Sequence, residues 1–486
     1  MGYNVAGNDN ARLFILRNGV NSAGGKPEYL EHASLDSLSQ DRGDLTSVES
    51  PSPFKYGEFI EVASFSGALS RIGSTLTTYM SQTSLSLFRK LFLDDCPIDI
   101  HLHFGLCDDP TEFTSYNKAL ILTDVRITTY GTDPLVAMVS DDRGVIQENI
   151  DITAAQLLEI VPLTYKAVSS AVTTDGPFVK ILVRDSKNCG TDCDTPSDGC
   201  QRWFAVTNDA VLYSTEDGGV TWASDEITLD GGVTPITDTP TNMVATGEYL
   251  LVLTAEGNLY TVSWKDWLED STTSWTSVAL DANSIDSFYG LVYAVGDSGT
   301  AYSISNLADV VPVLNGVLTT ENLLAVDVTR YGVLAGGVNG ALLYANDSGT
   351  NWNVVSSPTT ASIVAVLAKS DKNWIIGTAT GEVWATENKG ATWVRIQYPG
   401  WAAASSAVTS LEMATPHIIY LGQNNKVFKS IDGGNTWKTA PEHGSIPFPT
   451  MAALNSIATC EDDPNIVMIA GGIGATGGIV KGTISS

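Results

Sequence analysis

Along the C-terminal two-thirds of the chain, short apolar runs alternate with Gly-, Asn- and Asp-rich breaks at close spacing, the pattern of an all-β repeat. The stretch 362–396 shows one period in full. Ser362–Lys369 predicts an inner strand, Asn373–Thr378 a second, Gly381–Thr386 a third and Thr392–Ile396 an outer one. The third strand carries its own signature, a turn residue followed by an apolar–aromatic pair. It recurs as Val211-Leu-Tyr213, Gly257-Asn-Leu-Tyr260, Gly299-Thr-Ala-Tyr302, Gly340-Ala-Leu-Leu-Tyr344, Gly381-Glu-Val-Trp384, Lys426-Val-Phe428 and Gly478-Ile-Val480. Copies spaced roughly 40–50 residues apart match the period of a four-stranded propeller blade, and these copies predict seven blades. The last copy reaches Ser486 just after its third strand, which leaves an edge of unpaired backbone donors and acceptors. Tyr165–Ser170, ahead of the first copy, is expected to pair with Ile479–Thr483 and close the circle.

Between third and fourth strands a second phrase appears four times: Thr215-Glu-Asp-Gly-Gly-Val-Thr-Trp222, Ala345-Asn-Asp-Ser-Gly-Thr-Asn-Trp352, Thr386-Glu-Asn-Lys-Gly-Ala-Thr-Trp393 and Ser430-Ile-Asp-Gly-Gly-Asn-Thr-Trp437. The physics is that of a hairpin connection. Asp217, Asp347, Asn388 or Asp432 can turn its side chain onto backbone N–H groups of its own turn. Gly219, Gly349, Gly390 or Gly434 can take a positive φ. Trp222, Trp352, Trp393 or Trp437 is expected to begin the next strand and bury its ring between neighbouring sheets. Trp275 keeps the closing aromatic of the second unit, although that unit, the third and the seventh lack the phrase. The phrase resembles the Asp-box repeat of sialidases, sortilin-like receptors and photosystem-assembly factors, all β-propellers. That resemblance implies a structural role for these residues, in a turn on the outer rim.

Residues 1–165 carry no such period. Their first 56 or so are polar and read as an extended arm or loop that orders against a partner. A second segment, 57–164, alternates like a folded β domain, and the propeller follows at 165–486. Within that segment Leu85–Leu93 predicts a helix ended by Pro97. Ile98–Phe104 alternates cleanly and predicts a strand with one wet face. Ala119–Tyr130 and Val145–Ile152 predict further strands, and Ala154–Glu159 a short helix or turn.

Charge narrows the partners. The formal net charge is −29, of which residues 1–165 carry −11 (11 basic, 22 acidic) and the rest −18 (15 basic, 33 acidic). Such a surface repels phosphate, which argues against specific nucleic-acid binding. Met1–Val20 lacks the pattern of a signal peptide, and no run of about twenty apolar residues predicts a membrane span.

The candidate chemistry is thin. Cys189, Cys193 and Cys200 cluster in an Asp- and Gly-rich insertion, where they can form a local disulfide, hold a metal with a fourth ligand, or stay free. Cys96, Cys107 and Cys460 read as small core or loop residues. Sialidase chemistry needs three arginines to clamp a carboxylate. Residues 166–486 offer only Arg184, Arg202, Arg330 and Arg395, of which Arg395 falls on an outer strand and Arg202 beside the insertion. Asp99 and Glu159 read as surface charge, and His101-Leu-His103 as a polar strand face without a third metal ligand. Gly472-Ile-Gly-Ala-Thr-Gly477 mimics a dinucleotide loop, but the third-strand signature follows it instead of a helix. No catalytic residue, cofactor or metal is therefore expected.

The order of phrases between residues 43 and 162 resembles the tube-forming structural proteins of long-tailed bacteriophages. The stretches are Gly43–Glu49, Tyr56–Val62, Leu87–Cys96, Pro97–Gly105, Lys118–Val125, Thr129–Pro134, Glu148–Ala154 and Leu158–Pro162. The resemblance implies a β-barrel with a flanking helix, assembled as hexameric rings that stack into a hollow tube through which DNA slides. The fold expected overall is mainly β: an N-terminal β-barrel or α+β assembly domain with one helix, then a seven-bladed propeller closed by an N-terminal strand. The function expected is a non-enzymatic virion structural protein with an external propeller, self-associating and in weak contact with host glycans. The alternative is an extracellular or cell-surface module that recognises carbohydrate or protein.

Overall fold

The computed structural model describes residues 11–17, 28–30, 33–35, 39–42, 46–51, 59–65, 70–80, 98–104, 118–133, 146–154 and 156–160, then 163–168, 176–184, 200–229, 233–269, 273–306, 311–317, 319–346, 351–396, 406–423, 425–439, 452–460, 463, 465–473 and 476–484. The chain divides into two compact units, Met1–Val161 and Pro162–Ser486. Among the described residues, both are built mainly of β-strands.

In the second unit, the described residues form seven four-stranded antiparallel sheets, a propeller. Blades 1 to 6 each take four consecutive strands. In blade 5 these are Ile363–Ala368, Trp374–Thr378, Val383–Thr386 and Val394–Ile396, within the limits that the apolar runs predict. Blade 7 takes three strands from the end of the chain, Ala453–Thr459, Val467–Ile473 and Thr476–Ile484. Its fourth is Leu163–Ala167, which pairs antiparallel from Leu163↔Ile484 to Ala167↔Val480. The pairing of Ile473 with Thr476 makes the glycine-rich run at 472–477 a hairpin of blade 7.

Alternation explains why blades stack. The second strands are fully buried in Trp203–Thr207 and Trp374–Thr378, because each lies inside a sheet covered on both faces. One core cluster joins Phe178, Trp203 and Tyr213 of blade 1 to Met468, Ala470 and Ile479 of blade 7. Another joins Phe204 and Leu212 of blade 1 to Met243 and Leu250 of blade 2.

In the first unit, strand order is 28–30, 11–17, 98–104, 118–133, 146–154, 70–80, 33–35, with Gln156–Ile160 also on 118–133 and Ser39–Arg42 also on 70–80. Lys118–Asp133 is long enough to serve two stretches of sheet. Its first half pairs with Ile98–Phe104 and Gln156–Ile160, its second with Ile146–Ala154.

Three expectations change here. The polar N-terminal stretch is not an arm throughout, since Ala11–Arg17 pairs along the whole of Ile98–Phe104. Gln156–Ile160 is strand, not helix or turn, because it continues the edge begun by Ile146–Ala154. The face of Ile98–Phe104 expected to be wet is buried: Asp99, His101 and His103 are as enclosed as Ile98 and Ile100. A strand paired on both edges, in a sheet covered on both faces, leaves neither face to water. The two imidazoles sit 5.8 Å apart within that interior. The helix expected at Leu85–Leu93 lies outside the described residues, as do Cys96 and Cys107.

Candidate binding site: the central channel and the hairpin end

The inner strands line a central channel, and each is built the same way. In every blade the register between first and second strands skips one residue near the start of the inner strand, as at Phe178/Lys180 and Leu454/Ser456. Such a bulge bends and twists its strand, which suits a strand that must turn around an axis. The cavity along it is about 650 Å³ and takes residues from all seven inner strands.

Polar side chains at fixed places in these strands tie blade to blade. Asp286 accepts a hydrogen bond from the Val328 N–H at 2.7 Å, and Asp327 accepts one from Ala368 N–H at 2.5 Å. Glu412, at the same position of blade 6, accepts one from the Thr459 hydroxyl at 3.5 Å. Asn283 donates to the Leu323 carbonyl and Asn455 to that of Phe178, the latter across the seam between blades 7 and 1. A hydrogen bond contributes about 0.5–1.5 kcal/mol net, so the short bonds of Asp286 and Asp327 add to the packing that holds neighbouring blades together.

One end of the channel carries the hairpins between first and second strands, and also the turns between third and fourth. Blades 3 and 4 present aromatic residues there. Tyr289 is half exposed, stands at φ 45° and packs edge-on against Phe288 with ring centroids 4.5 Å apart. In the next blade the Arg330 guanidinium lies 5.0 Å from the Tyr331 ring centre. At blade 2 two guanidinium groups approach the Trp264 ring, Arg184 at 4.3 Å and Arg202 at 4.7 Å from its centre. Arg202 also pairs with Glu216 at 2.6 Å. Burial pushes Lys429 down to about 8, yet its ammonium lies inside blade 6, 5.6 Å from the Tyr420 ring.

Three described copies of the repeated phrase form turns at this end. In blade 1 the Asp217 carboxylate accepts from the Val220 and Thr221 N–H groups and from the Thr221 hydroxyl, while the Thr215 hydroxyl donates to it at 2.8 Å. Asp432 is held alike by Ser430, Asn435 and Thr436, and Asn388 by Thr386 and Thr392. Asp347 and Gly349 lie outside the described residues. The tryptophans differ among themselves: Trp437 is fully buried, whereas Trp222, Trp352 and Trp393 are half-buried. Three of them stand just before the fourth strand rather than in it, and only Trp352 lies within one.

These turns do not merely decorate the rim. A Cβ on Gly219 would lie 2.8 Å from Met468 of blade 7, and one on Gly434, at φ +96°, 2.6 Å from Ile375 of blade 5. Gly390 sits likewise against Val355 of blade 4. Lysines reach the same turns from the preceding blade, Lys481 to the Gly218 carbonyl and Lys369 to that of Gly433, both at 2.5 Å. The phrase thus places backbone against the neighbouring blade, a close approach that needs glycine.

Donors from Thr221, then Thr215 and Val220, hold the Asp217 carboxyl well below the usual carboxylate range. Its stabilising contribution is complete above the unfolded value of about 3.9 and is lost as pH falls through the depressed folded value. Asn keeps an acceptor oxygen without the charge, as Asn388 does. The difference in Tm between the wild type and Asp217→Asn is expected to be constant above about pH 5 and to shrink steadily below pH 4. An equal difference at both ends of that range would falsify the charged-acceptor account. In Asp432, by contrast, burial pushes the carboxyl up against the hydrogen bonds that lower it.

The cysteines depart from expectation. Cys200 is bonded not to Cys189 or Cys193 but to Cys460, 260 residues away, with 5.9 Å between Cα atoms. Ring closure brings the two together, which no local spacing reveals. Cys189 and Cys193 lie outside the described residues. Among the described residues no group of His, Cys, Asp or Glu is arranged to hold a metal ion. Of the arginines, Arg395 lies on the outer strand of blade 5, paired with Glu382 at 3.0 Å, and Arg184 and Arg202 share Trp264.

No family model matches the chain, and no curated protein matches it in sequence. Solved structures similar to it include YCF48 from Cyanidioschyzon merolae, 14% identical over 66% of this chain and 99% of that one, with a TM-score of 0.49. YCF48 bound to D1 peptide is 15% identical over 68% and 97%, with a TM-score of 0.48. The structure of U3-55K is 9% identical over 66% and 98%, with a TM-score of 0.47.

Proposed function

We propose that this chain is a non-enzymatic interaction module, a propeller that presents surface to a protein or carbohydrate partner. The observation that carries the reading is the use made of the channel carboxylates. Asp286, Asp327 and Glu412, which would serve as acids or bases in a hydrolase, are engaged in holding one blade to the next. What remains for recognition is the rim of the channel and the turns around it.

We further propose that the propeller is carried by a virion assembly subunit, of the kind that forms stacked hexameric rings in a phage tail tube. The order of phrases between residues 43 and 162 and the −11 charge of residues 1–165 support this reading, since an acidic lumen lets DNA pass without adhering. The Cys200–Cys460 disulfide supports a final environment that is oxidising, at the virion or cell surface. Negative-stain microscopy of the purified full chain is expected to show rings or short tubes. A monodisperse monomer at all concentrations removes the tube and leaves the interaction module. Turnover of a fluorogenic sialoside or other glycoside removes the non-enzymatic reading altogether.

A further inference from the structure

We infer that the hairpin end of the channel at blades 3 and 4 is a saccharide-binding site, with Tyr289 as its stacking platform and a neutral oligosaccharide as its ligand. The inference rests on the interaction-module reading and says where that module binds and what.

The hairpin Phe288-Tyr-Gly-Leu291 holds Tyr289 at φ 45° and Gly290 at φ 85°. Both central residues are left-handed, which is the two-residue turn that favours Asn, Asp or Gly at its first central place. A tyrosine there strains the backbone, because its Cβ crowds the carbonyl oxygen that follows. Such outliers mark function when the surroundings hold them in place. Here Phe288 braces the ring edge-on, yet Tyr289 stays 50% exposed, and Leu291 beside it 40%. The strain therefore serves no core packing. It presents a ring at the mouth of a cavity.

The cavity is about 650 Å³, within the range of small-ligand sites. The channel lining on blades 3 and 4 mixes acceptors and donors: Asp286, Ser287 and Asp327 with Thr329 and Arg330. Charges of both signs at one mouth suit a ligand with many hydroxyls and no net charge. The −18 formal charge of residues 166–486 disfavours a polyanion. A sugar ring offers an apolar C–H face to an exposed aromatic and hydroxyls to the flanking polar groups. A carboxylate with about four lone-pair sites can accept from such a hydroxyl while holding its strand.

The test uses the full-length protein on an array of neutral, sialylated and uronic oligosaccharides, with each hit titrated by calorimetry. Asparagine tolerates the left-handed turn, so Tyr289→Asn removes the ring without disturbing the hairpin. Binding of a neutral oligosaccharide is expected, weakened at least 10-fold in Tyr289→Asn and unchanged in Val354→Ala, an exposed residue on an outer strand. Saccharide binding that Tyr289→Asn leaves intact overturns the site. Binding of no saccharide, or of charged ones only, overturns the ligand class. If a protein ligand from host extract then depends on Tyr289, this inference has failed and the interaction module has not.

Discussion

A propeller cut from the chain at residue 169 is expected to lose its monomeric fold, whereas one cut at residue 162 keeps it. The two fragments differ by the strand Leu163–Ala167 and its flanks. That strand forms five paired positions with the end of the chain, and the Val168 N–H adds a bond to the Ile479 carbonyl at 2.8 Å. Leu163 and Tyr165 are both buried, and burial pushes the Tyr165 hydroxyl far above the ordinary phenol value. The Tyr165 ring lies against Gly482, where a Cβ would come within 2.7 Å of it. Burying two large side chains contributes about 1.5–3 kcal/mol each, and each hydrogen bond about 1 kcal/mol more. Their sum approaches the 5–15 kcal/mol that typically separates folded from unfolded domains. The bare edge of Thr476–Ile484 also becomes a template for pairing with another chain. Size-exclusion chromatography and thermal melts of the two fragments decide the matter. A monomeric, cooperatively melting 169–486 fragment would show that blade 7 stands without its fourth strand.

The number of blades and this closure were legible because the third strands repeat an apolar–aromatic pair. Each predicted signature, from Val211-Leu-Tyr213 to Gly478-Ile-Val480, falls on the third strand of its blade. Local chemistry was legible too, since the Asp217 side chain and the N–H groups it binds lie within four residues. Contacts between blades were not. Met468 against Gly219 and Ile375 against Gly434 join residues whose spacing depends on loop lengths, not on a motif. The blade ties left one trace, a carboxylate at the same place in three inner strands, Asp286, Asp327 and Glu412. Burial misled in one place: Ile98–Phe104 alternates as though half-wet, but alternation cannot reveal that a second layer covers the polar face.

Loss of the Cys200–Cys460 bond is expected to destabilise the propeller by about 5.5 kcal/mol, the chain-entropy value for a closed loop of this length. Cys200 lies just before the second strand of blade 1, and Cys460 just after the inner strand of blade 7. The bond therefore crosses the seam at which the ring's first and last blades meet. The strand Leu163–Ala167 completes blade 7 but does not by itself tie blade 7 to blade 1. Side chains do that by hydrogen bonds: Asn455 donates to the Phe178 carbonyl at 2.7 Å, and the Ser456 hydroxyl accepts from the Ile181 N–H at 3.3 Å. The disulfide makes the same junction covalent. Both sulfurs are buried beside Phe178, Trp203 and Met468, and the Trp203 indole N–H donates to the Cys200 carbonyl at 2.7 Å. Alanine at both positions leaves a small apolar gap and no stranded polar atom, so Cys200→Ala with Cys460→Ala reports chiefly the lost cross-link. For a unit of this size the expected fall in Tm is about 8 °C, roughly 1.5 °C for each kcal/mol. Reduction of the wild type should reproduce most of it, and reduction of the double variant should do nothing. Equal Tm for the oxidised and fully reduced wild type, with the released thiols counted, would mean that the seam holds by packing alone.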